Sequence, residues 1–378
     1  MERIQRIDAT TIRIPLNMPV RVGGYSVHAR EYCLVEVVAD SGRIGHALAL
    51  TRGGDLAGAV INNIAPLLVG QDADRVEFLW HTAYENTRLI GGQGLLMRAL
   101  SLTDIALWDL KAKLWGAPLY RLLGGYRESV PMLMAGGYYA DGKGLRELVR
   151  EYERYAEDGY RHMKLMVGGA SMEEDLERYV AVRNELPAAI TLGVDANGCW
   201  TDAKSALRWV NDAERRTNVP LSFLEEPLPP VMRQETAWLC ERTEVPLAIG
   251  EFLAGRWAFR DWIEAGAVNI LRADVTLCGG ISEWKRIASL AQAGNLTILP
   301  HYFPSLHIHM AAALPGCDRV ETVSAEGRNS SFHLIAGRSY ELRDGQAYPR
   351  PAPGLGLELD PEVLAAYTVR QMTSESAE

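Results

Sequence analysis

From residue 130 onward the chain alternates short apolar runs with amphipathic stretches, and this alternation constrains the fold more than any other feature of the sequence. Eight such runs occur: "VPMLMAGG", "HMKLMVGG", "ITLGVDAN", "LSFLEEP", "LAIGE", "VNILRAD", "LTILPH" and "RVE". The segments between them, such as "LRELVREYERYAEDG" and "EEDLERYVAVRNEL", have apolar residues at helical spacing. Eight strands alternating with helices predict an α/β fold of the (β/α)8, or TIM-like, barrel type.

The N-terminal third has a different pattern. "RIDATTIRIPL" and "YCLVEVVADSGRIGHALAL" indicate a strand meander, and "AGAVINNIAPLLVG", "RVEFLWHTAYENT" and "LLMRALSLTDIALWDLKAKLWG" indicate helices. We therefore predict an α+β capping domain over residues 1–125 and a catalytic barrel over residues 126–330. Residues 331–378 are too poor in helical pattern to extend the barrel, so we predict that they return to the capping domain.

Composition excludes several classes of partner. A net charge of −9 and the lack of any run rich in Lys or Arg argue against nucleic-acid binding. No stretch approaches the roughly 20 apolar residues of a membrane helix. Five scattered cysteines without CxxC spacing fit a reducing compartment, and the N-terminus lacks a signal-peptide core. We expect a cytoplasmic protein that binds neither nucleic acid nor membrane.

Titratable side chains stand at the C-terminal ends of six consecutive runs: Asp195, Glu225 (followed by Glu226), Glu251, Asp274, His301 and Glu321. Successive gaps are 30, 26, 23, 27 and 20 residues, each about one strand and one helix. Because the C-terminal ends of barrel strands meet at one mouth, these side chains are expected to converge there.

Three of these acids, Asp195, Glu225 and Glu251, end neighbouring strands. Like charges brought together and buried repel, and a divalent cation removes this cost. Ligation by oxygen alone suits Mg²⁺. The alternative is that each acid caps the following helix or forms a salt bridge.

Asp274 and His301 end the next two strands. A carboxylate beside an imidazole fixes its tautomer and supports its protonated form, which makes His301 a candidate general acid and base. Glu321 could donate a hydrogen bond to an enolate oxygen if its surroundings keep it protonated. The alternatives are a satisfied core or surface histidine and a charged helix cap.

The stretches "GVDANG", "FLEEPL", "IGEFL", "RADVTLCGG", "LPHYF" and "RVE" together resemble the enolase superfamily, in particular its mandelate racemase subgroup (the mandelate racemase/muconate lactonizing enzyme family). The resemblance covers nearly the whole chain. It implies that Asp195, Glu225 and Glu251 bind Mg²⁺, that Asp274 and His301 form the acid/base pair, and that Glu321 assists the enolate. It also implies proton abstraction next to a carboxylate and assembly into a homo-oligomer.

Lys164, in "GYRHMKLMVGG", matches the first lysine of the family's Lys-x-Lys strand end, which implies a contact with the substrate carboxylate; the alternative is a pair with a barrel acid. Met166 stands where the family has a second lysine that acts as a base, and methionine cannot take a proton. His162 faces the same way but deeper, as a core or a functional residue. One base on one face disfavours racemisation and favours a syn β-elimination, so we predict a sugar-acid dehydratase that forms a 2-keto-3-deoxy acid.

Loops of the capping domain are expected to select the substrate. The candidate contacts are Arg21, Tyr25 and His28 in "NMPVRVGGYSVH", a loop made flexible by Gly23-Gly24; Arg52 in "LTRGGD"; Asn197; and Tyr138 or Tyr139.

Three other functions stay open from the sequence. One-base chemistry also fits a cycloisomerase or epimerase of a sugar acid or lactone. Met166 alone supports a non-catalytic barrel that binds Mg²⁺ and a ligand. A Schiff-base aldolase using Lys164 is disfavoured by the neighbouring acids, which would keep that lysine protonated.

Overall fold

The capping domain is built on long strands whose apolar residues point to one face. Strands β1 (Ile4–Val22), β2 (Tyr25–Ala39) and β3 (Ile44–Leu50) form an antiparallel meander. The C-terminal strand β14 (Thr368–Glu375) pairs with β1 and gives the sheet order β14-β1-β2-β3. This computed structural model describes residues 2–22, 25–324 and 331–375.

Helices cover the buried face of this sheet. They are α1 (Leu56–Ala59), a π-helical turn (Val60–Ile64), α2 (Ala65–Leu68), α3 (Val76–Gly91), α4 (Leu95–Leu114) and α5 (Leu119–Leu122). The first predicted helix is thus broken into short pieces. Pro66, at the start of α2, explains the break, because proline has no N–H group and clashes with the preceding turn.

The barrel contains the eight predicted strands in the predicted order, all parallel: β4 (Val130–Gly136), β5 (His162–Met166), β6 (Thr191–Asp195), β7 (Leu224–Glu225), β8 (Leu247–Ile249), β9 (Ile270–Leu271), β10 (Thr297–Ile298) and β11 (Val320–Val323). β11 pairs with β4, and a bridge between Ile298 and Cys317 connects β10 towards β11. The α/β barrel with an N-terminal capping domain is therefore confirmed.

Helices follow seven of these strands: α6 (Leu145–Glu157), α7 (Met172–Glu185), α8 (Ala203–Thr217), α9 (Arg233–Cys240), α10 (Gly255–Glu264), α11 (Gly280–Ala293) and α12 (Pro304–Ala313). Beyond β11 lie α13 (Phe332–Ala336), β12 (Tyr340–Arg343), β13 (Gln346–Pro349) and α14 (Pro361–Tyr367). β13 pairs antiparallel with the start of β4 before the chain reaches β14. The boundaries at residues 125 and 330 stay predictions.

A small apolar cluster fills the inside of the barrel. It consists of Leu133, Phe223, Ala248 and Leu299, which are separate from the main core. Gly193 leaves room for it, because a Cβ atom at this position would collide with the Phe223 ring. The charged groups above this cluster therefore lie next to a buried apolar layer, where electrostatic interactions are stronger than in water.

The predicted loop at residues 17–28 is instead a pair of strands. β1 continues to Val22, and Val20, Arg21 and Val22 pair with Val27, Ser26 and Tyr25. Alternating valines at positions 20, 22 and 27 explain the pairing, since β-branched residues favour strands. Gly23 and Gly24 lie outside the described residues.

Two further findings concern the whole chain. All five cysteines are free thiols. Within the described ranges, none of the helices is long and apolar enough to cross a membrane.

Two buried histidines make the stability of the fold dependent on pH. His309 donates from Nε2 to the carbonyl of Leu355, 3.0 Å away, and so fastens α12 to the C-terminal segment. His307 lies in the same helix, and burial lowers the pKa of each imidazole to about 4. In the unfolded chain a histidine has a pKa of about 6.5. Between these values the unfolded chain binds more protons, so stability falls as the pH is lowered.

We predict that the free energy of unfolding decreases between pH 6.5 and pH 4, by roughly 3 kcal/mol per histidine at the acid end. His309→Gln keeps a donor but cannot titrate, so it should show a flatter pH dependence than the wild type. Urea unfolding at several pH values measures both curves. Identical slopes for the two proteins would contradict the prediction.

Candidate active site

Three carboxylates meet at the barrel mouth because they end or follow adjacent strands. Asp195 ends β6, Glu225 ends β7, and Glu251 comes two residues after β8. One oxygen from each lies within 4.8 Å of the others, and all three side chains are buried. A set of three buried carboxylate oxygens matches the ligands preferred by a hard divalent cation such as Mg²⁺.

The electrostatics of this triad also favour a cation. Burial raises the pKa of Asp195, and it raises the pKa of Glu225 to about 8, with the charge of Asp195 adding to the effect. Glu251 Oε2 is buried and accepts no hydrogen bond from the described residues. These groups fit a divalent cation, which would relieve the repulsion between them and coordinate the Glu251 oxygen that accepts no hydrogen bond.

Lys164 lies at the centre of the mouth, fully buried. Its Nζ is 3.0 Å from Asp195 Oδ2, 2.9 Å from Glu225 Oε2 and 3.0 Å from Glu321 Oε2. Burial disfavours the ammonium, but these three carboxylates together raise the pKa of Lys164 well above its ordinary value. The sequence analysis gave two interpretations of Lys164, a contact with the substrate carboxylate and a pair with a barrel acid. Its position is compatible with both.

Asp274 and His301 form a hydrogen-bonded pair. His301 Nδ1 lies 3.0 Å from Asp274 Oδ2, and Nε2 lies 3.3 Å from Glu251 Oε2. Asp274 is held by the N–H and hydroxyl groups of Thr276, both 2.8 Å from Oδ1. Burial opposes a charged imidazole, but Glu251 and Asp274 outweigh it and raise the pKa of His301. The imidazole therefore keeps Nδ1–H on Asp274 and directs Nε2 towards the cavity.

His307 fixes the backbone around this pair, and the sequence analysis did not identify it. Its Nε2 accepts from the N–H group of Val275, next to Asp274, at 3.0 Å. Its Nδ1 donates to the carbonyl of Tyr302, next to His301, at 2.7 Å. The role becomes visible only in the structure, through these two hydrogen bonds. In the sequence, a histidine three residues after the start of a helix belongs to no recognisable motif.

Arg272 is a second residue that the sequence analysis missed. It is fully buried and donates from Nε to Glu225 Oε1 at 2.8 Å and from Nη1 to the carbonyl of Leu299 at 2.7 Å. Its Nη2 contacts Glu321. A signal was present in "RAD", since residues two apart on a strand face the same side, so Arg272 points into the barrel with Asp274.

The charges around Glu321 favour its ionised form rather than the protonated form that a hydrogen-bond donor to an enolate would need. Burial alone would raise its pKa, but the charges of Lys164 and Arg272 lower the pKa of Glu321 to about 2. With an ionised carboxylate, Glu321 accepts hydrogen bonds from both cations and donates none. Its position therefore indicates that it orients Lys164 and Arg272.

Met166 ends β5 and is almost fully buried. Its sulfur accepts a contact from Asn197 Nδ2 at 3.6 Å. β5 and β10 are separated by β4 and β11 on one side and by four strands on the other, so Met166 and His301 line different sides of the mouth. At the far end of β5, His162 contacts Thr191 and Arg319, which makes it a structural residue of the barrel base.

These groups line one cavity of about 490 Å³. Three predicted substrate contacts, Arg52, Asn197 and Tyr138, also line it. Arg21 does not: its N–H group bonds the carbonyl of Tyr139 at 2.9 Å, which holds it beside a neighbouring cavity of about 260 Å³.

Tyr139 and His28 are also absent from the lining of the main cavity. Tyr139 donates its hydroxyl to Asp175, which is a structural role. His28 is exposed on β2, and the side chain of Tyr25 lies outside the described residues.

Comparison with known proteins places the chain in a family. Residues 147–363 match the model of enolase C-terminal domain-like proteins, and residues 6–124 match the N-terminal domain of mandelate racemase and muconate lactonizing enzymes. The chain belongs to the mandelate racemase/muconate lactonizing enzyme family of the enolase superfamily. The resemblance found in the sequence is thereby confirmed.

Several relatives are named for dehydration or for cycloisomerisation of sugar acids and their lactones. An arabinonate dehydratase of Saccharolobus solfataricus is 32% identical over 353 residues, which cover 92% of this chain and 93% of that protein. A D-galactarolactone cycloisomerase of Agrobacterium fabrum is 30% identical and covers 93% and 95%. A crystal structure of an L-talarate dehydratase from Polaromonas sp. JS666, complexed with Mg and L-glucarate, has a TM-score of 0.88 at 29% identity and covers all of both chains.

We predict that Arg272→Met lowers the free energy of unfolding by about 3–5 kcal/mol, because it leaves the buried carboxylates of Glu225 and Glu321 with Lys164 as their shared cationic partner. Loss of this support should also weaken Mg²⁺ binding by about tenfold or more. Urea unfolding and calorimetric titration with Mg²⁺ measure the two effects.

Arg343→Met is the matched control, since Arg343 is exposed and its contacts, an ion pair with Glu341 and a ring contact with Tyr348, lie at the surface, away from the barrel mouth. If Arg272→Met matched this control in both measurements, the supporting role of Arg272 would be disproved.

Proposed function

We propose that the protein is a Mg²⁺-dependent dehydratase that removes water from a sugar acid. The observation that carries this proposal is the arrangement of proton carriers in the cavity. His301, supported by Asp274, lies on one side, and the thioether of Met166 lies on another. Among the described residues of the cavity, His301 is the group placed to carry the α-proton, and such a site favours a reaction in which one group both removes and returns a proton.

The three carboxylates would hold Mg²⁺, which supplies a Lewis acid for the carboxylate of the substrate. Lys164 adds a fixed positive charge beside the same place. Because both act in a buried site above an apolar floor, negative charge that develops on the substrate is stabilised more than in water. The α-proton then becomes acidic enough for an imidazole to remove.

His301 performs both proton transfers in this proposal. Neutral Nε2 takes the α-proton as the C–H bond breaks, and Asp274 stabilises the imidazolium that forms. The same Nε2 then protonates the β-hydroxyl, and the C–O bond breaks with release of water. The product is an enol that tautomerises to a 2-keto-3-deoxy acid. Because one group serves both steps, the elimination is syn.

The test of dehydration is product trapping. With Mg²⁺ and a panel of sugar acids, at least one acid should give a 2-keto product that reacts with semicarbazide. His301→Asn should lower this rate by about 100- to 10,000-fold, the range for loss of a general acid/base. His81→Asn, at an exposed position, serves as the control. Racemisation of an acid without formation of any keto product would refute the proposal.

A cycloisomerase is the second candidate, because a relative with that activity is 30% identical over 93% of this chain. It also needs only one proton carrier. Reaction in D₂O separates the two candidates: a cycloisomerase incorporates deuterium and releases no water, whereas a dehydratase forms the keto acid. The charged state of Lys164 disfavours the Schiff-base aldolase, since a protonated amine is not a nucleophile.

Met166→Lys should introduce a second base at the position where the family has one. We expect this variant to exchange the α-proton of the opposite configuration and to release an epimer of the substrate, which wild type does not form. NMR of reactions in D₂O detects the exchange. Met166→Leu is the control, because it fills the same space without a proton carrier. Equal amounts of epimer from both variants would count against the one-base geometry.

A further inference from the structure

Glu226 connects the three loops that carry the metal-binding carboxylates, although it is not one of those carboxylates. It follows the last residue of β7 and is buried. Its backbone carbonyl accepts from the N–H group of Gly198 at 2.7 Å, in the loop that follows Asp195. Its side-chain Oε1 accepts from the N–H group of Gly250 at 2.7 Å, directly before Glu251. One residue therefore joins the ends of β6, β7 and β8.

The backbone of Glu226 adopts a conformation that a glutamate rarely takes. Its φ angle is +36°, in the left-handed region, where a side chain is strained and glycine is favoured. Its N–H group donates to the carbonyl of Ala248 on β8 at 3.1 Å, so backbone hydrogen bonds already hold the turn on both sides. A glycine would form this turn with less strain. The presence of a glutamate therefore indicates that its side chain contributes something that the turn does not need.

The contribution of the side chain is an acceptor at the end of β8. The parallel ladder between β7 and β8 ends at the pair of Glu225 and Ala248. Beyond it, the N–H group of Gly250 is bonded to the Glu226 carboxylate in place of a backbone carbonyl. Gly250 has a φ of +138°, which only glycine adopts readily, so this bond limits the freedom of the chain just before Glu251.

A purely structural role would be to fill space or to close the turn. Glu226 is an unfavourable residue for the first role, because its Oε2 atom is buried and has no hydrogen-bond partner among the described residues. It is unfavourable for the second role because of its φ angle. A carboxylate with both disadvantages is better explained by a role in the metal site.

We propose that Glu226 is a positioning residue of the Mg²⁺ site. It sets the direction of Glu251 through the N–H group of Gly250, and it ties that loop to the loop that follows Asp195. Support of this kind fixes metal ligands before the metal binds. The inference rests on the part of the proposed function that places Mg²⁺ on the three carboxylates, and not on the reaction. It therefore applies equally to a dehydratase and to a cycloisomerase.

Calorimetric titration of the whole protein with Mg²⁺ tests the inference without a substrate. Glu226→Gly removes the acceptor and relaxes the turn, so it should weaken Mg²⁺ binding by about 10- to 100-fold. Glu226→Gln keeps a side-chain oxygen that accepts from Gly250, so its Mg²⁺ affinity should stay within about threefold of wild type. A residue that only closed the turn would give the opposite order, with glycine at least as good as glutamine.

Asp344→Gly is the matched control for Glu226→Gly. Asp344 is an exposed acid with a φ of +48°, in the turn between β12 and β13 at the base of the barrel. Equal Mg²⁺ affinities for Glu226→Gly and this control would overturn the inference. A loss in Glu226→Gln as large as in Glu226→Gly would also overturn it. If Glu226→Gly does not fold, Glu226→Gln decides alone, since a loss of about tenfold or more contradicts the hydrogen-bond role.

Asp195→Asn separates this inference from the placement of the metal. It changes a ligand rather than its support, so it should weaken Mg²⁺ binding at least as much as Glu226→Gly. If Asp195→Asn weakens binding and Glu226→Gly does not, the inference fails and the metal site stands. If neither variant weakens binding, Mg²⁺ does not occupy the three carboxylates, and the proposed function fails together with the inference.

Discussion

The interaction on which the barrel mouth depends is that of the Lys164 ammonium with carboxylates from three different strands. Asp195, Glu225 and Glu321 each place an oxygen within 3.0 Å of Nζ. Burying these charges costs free energy that only close pairing recovers, and the side chains of the apolar cluster below them are themselves buried and offer no polar partner. The buried group of charges around Lys164 is therefore poor evidence for stability by itself. It is better explained as a preorganised field for an anionic substrate, held in place by the rigid strands that carry it.

The parts of this site that could be predicted from the sequence are those that follow from barrel geometry alone. The last residue of each parallel strand reaches the same mouth whatever the details of packing, so Asp274 and His301 could be paired from spacing. Contacts that depend on which side chains meet across the barrel were not predictable. Arg272 was visible as an inward-facing residue, but its contacts with Glu225 and Glu321 depend on the stagger of three strands. The ionisation of Glu321 could not be inferred for the same reason, because it depends on the charges of Lys164 and Arg272 that meet it across the barrel.

The capping domain and the barrel have separate tasks that one helix connects. Asp104 on α4 accepts hydrogen bonds from the N–H and hydroxyl groups of Ser282, at the start of α11, at 2.9 and 2.7 Å. The segment that leads into α11 begins at Asp274, and α4 also carries Arg98. Arg98, which lines the cavity, is therefore held in a fixed position relative to the pair of Asp274 and His301. A cavity lined by two domains keeps the geometry that catalysis needs only if the two domains do not move independently.

Met166 shows how the loss of one titratable group can define a reaction. With two bases on opposite faces, a proton removed from one face is returned to the other, and each turnover leaves both bases in changed protonation states that must be reset. In the proposed dehydration, His301 alone receives the α-proton and gives the same proton to the departing hydroxyl, so it is neutral again when water leaves. The thioether opposite neither supplies nor takes a proton. A one-base cycle therefore closes without proton exchange with solvent, which suits a site whose proton carrier is buried beneath a capping domain.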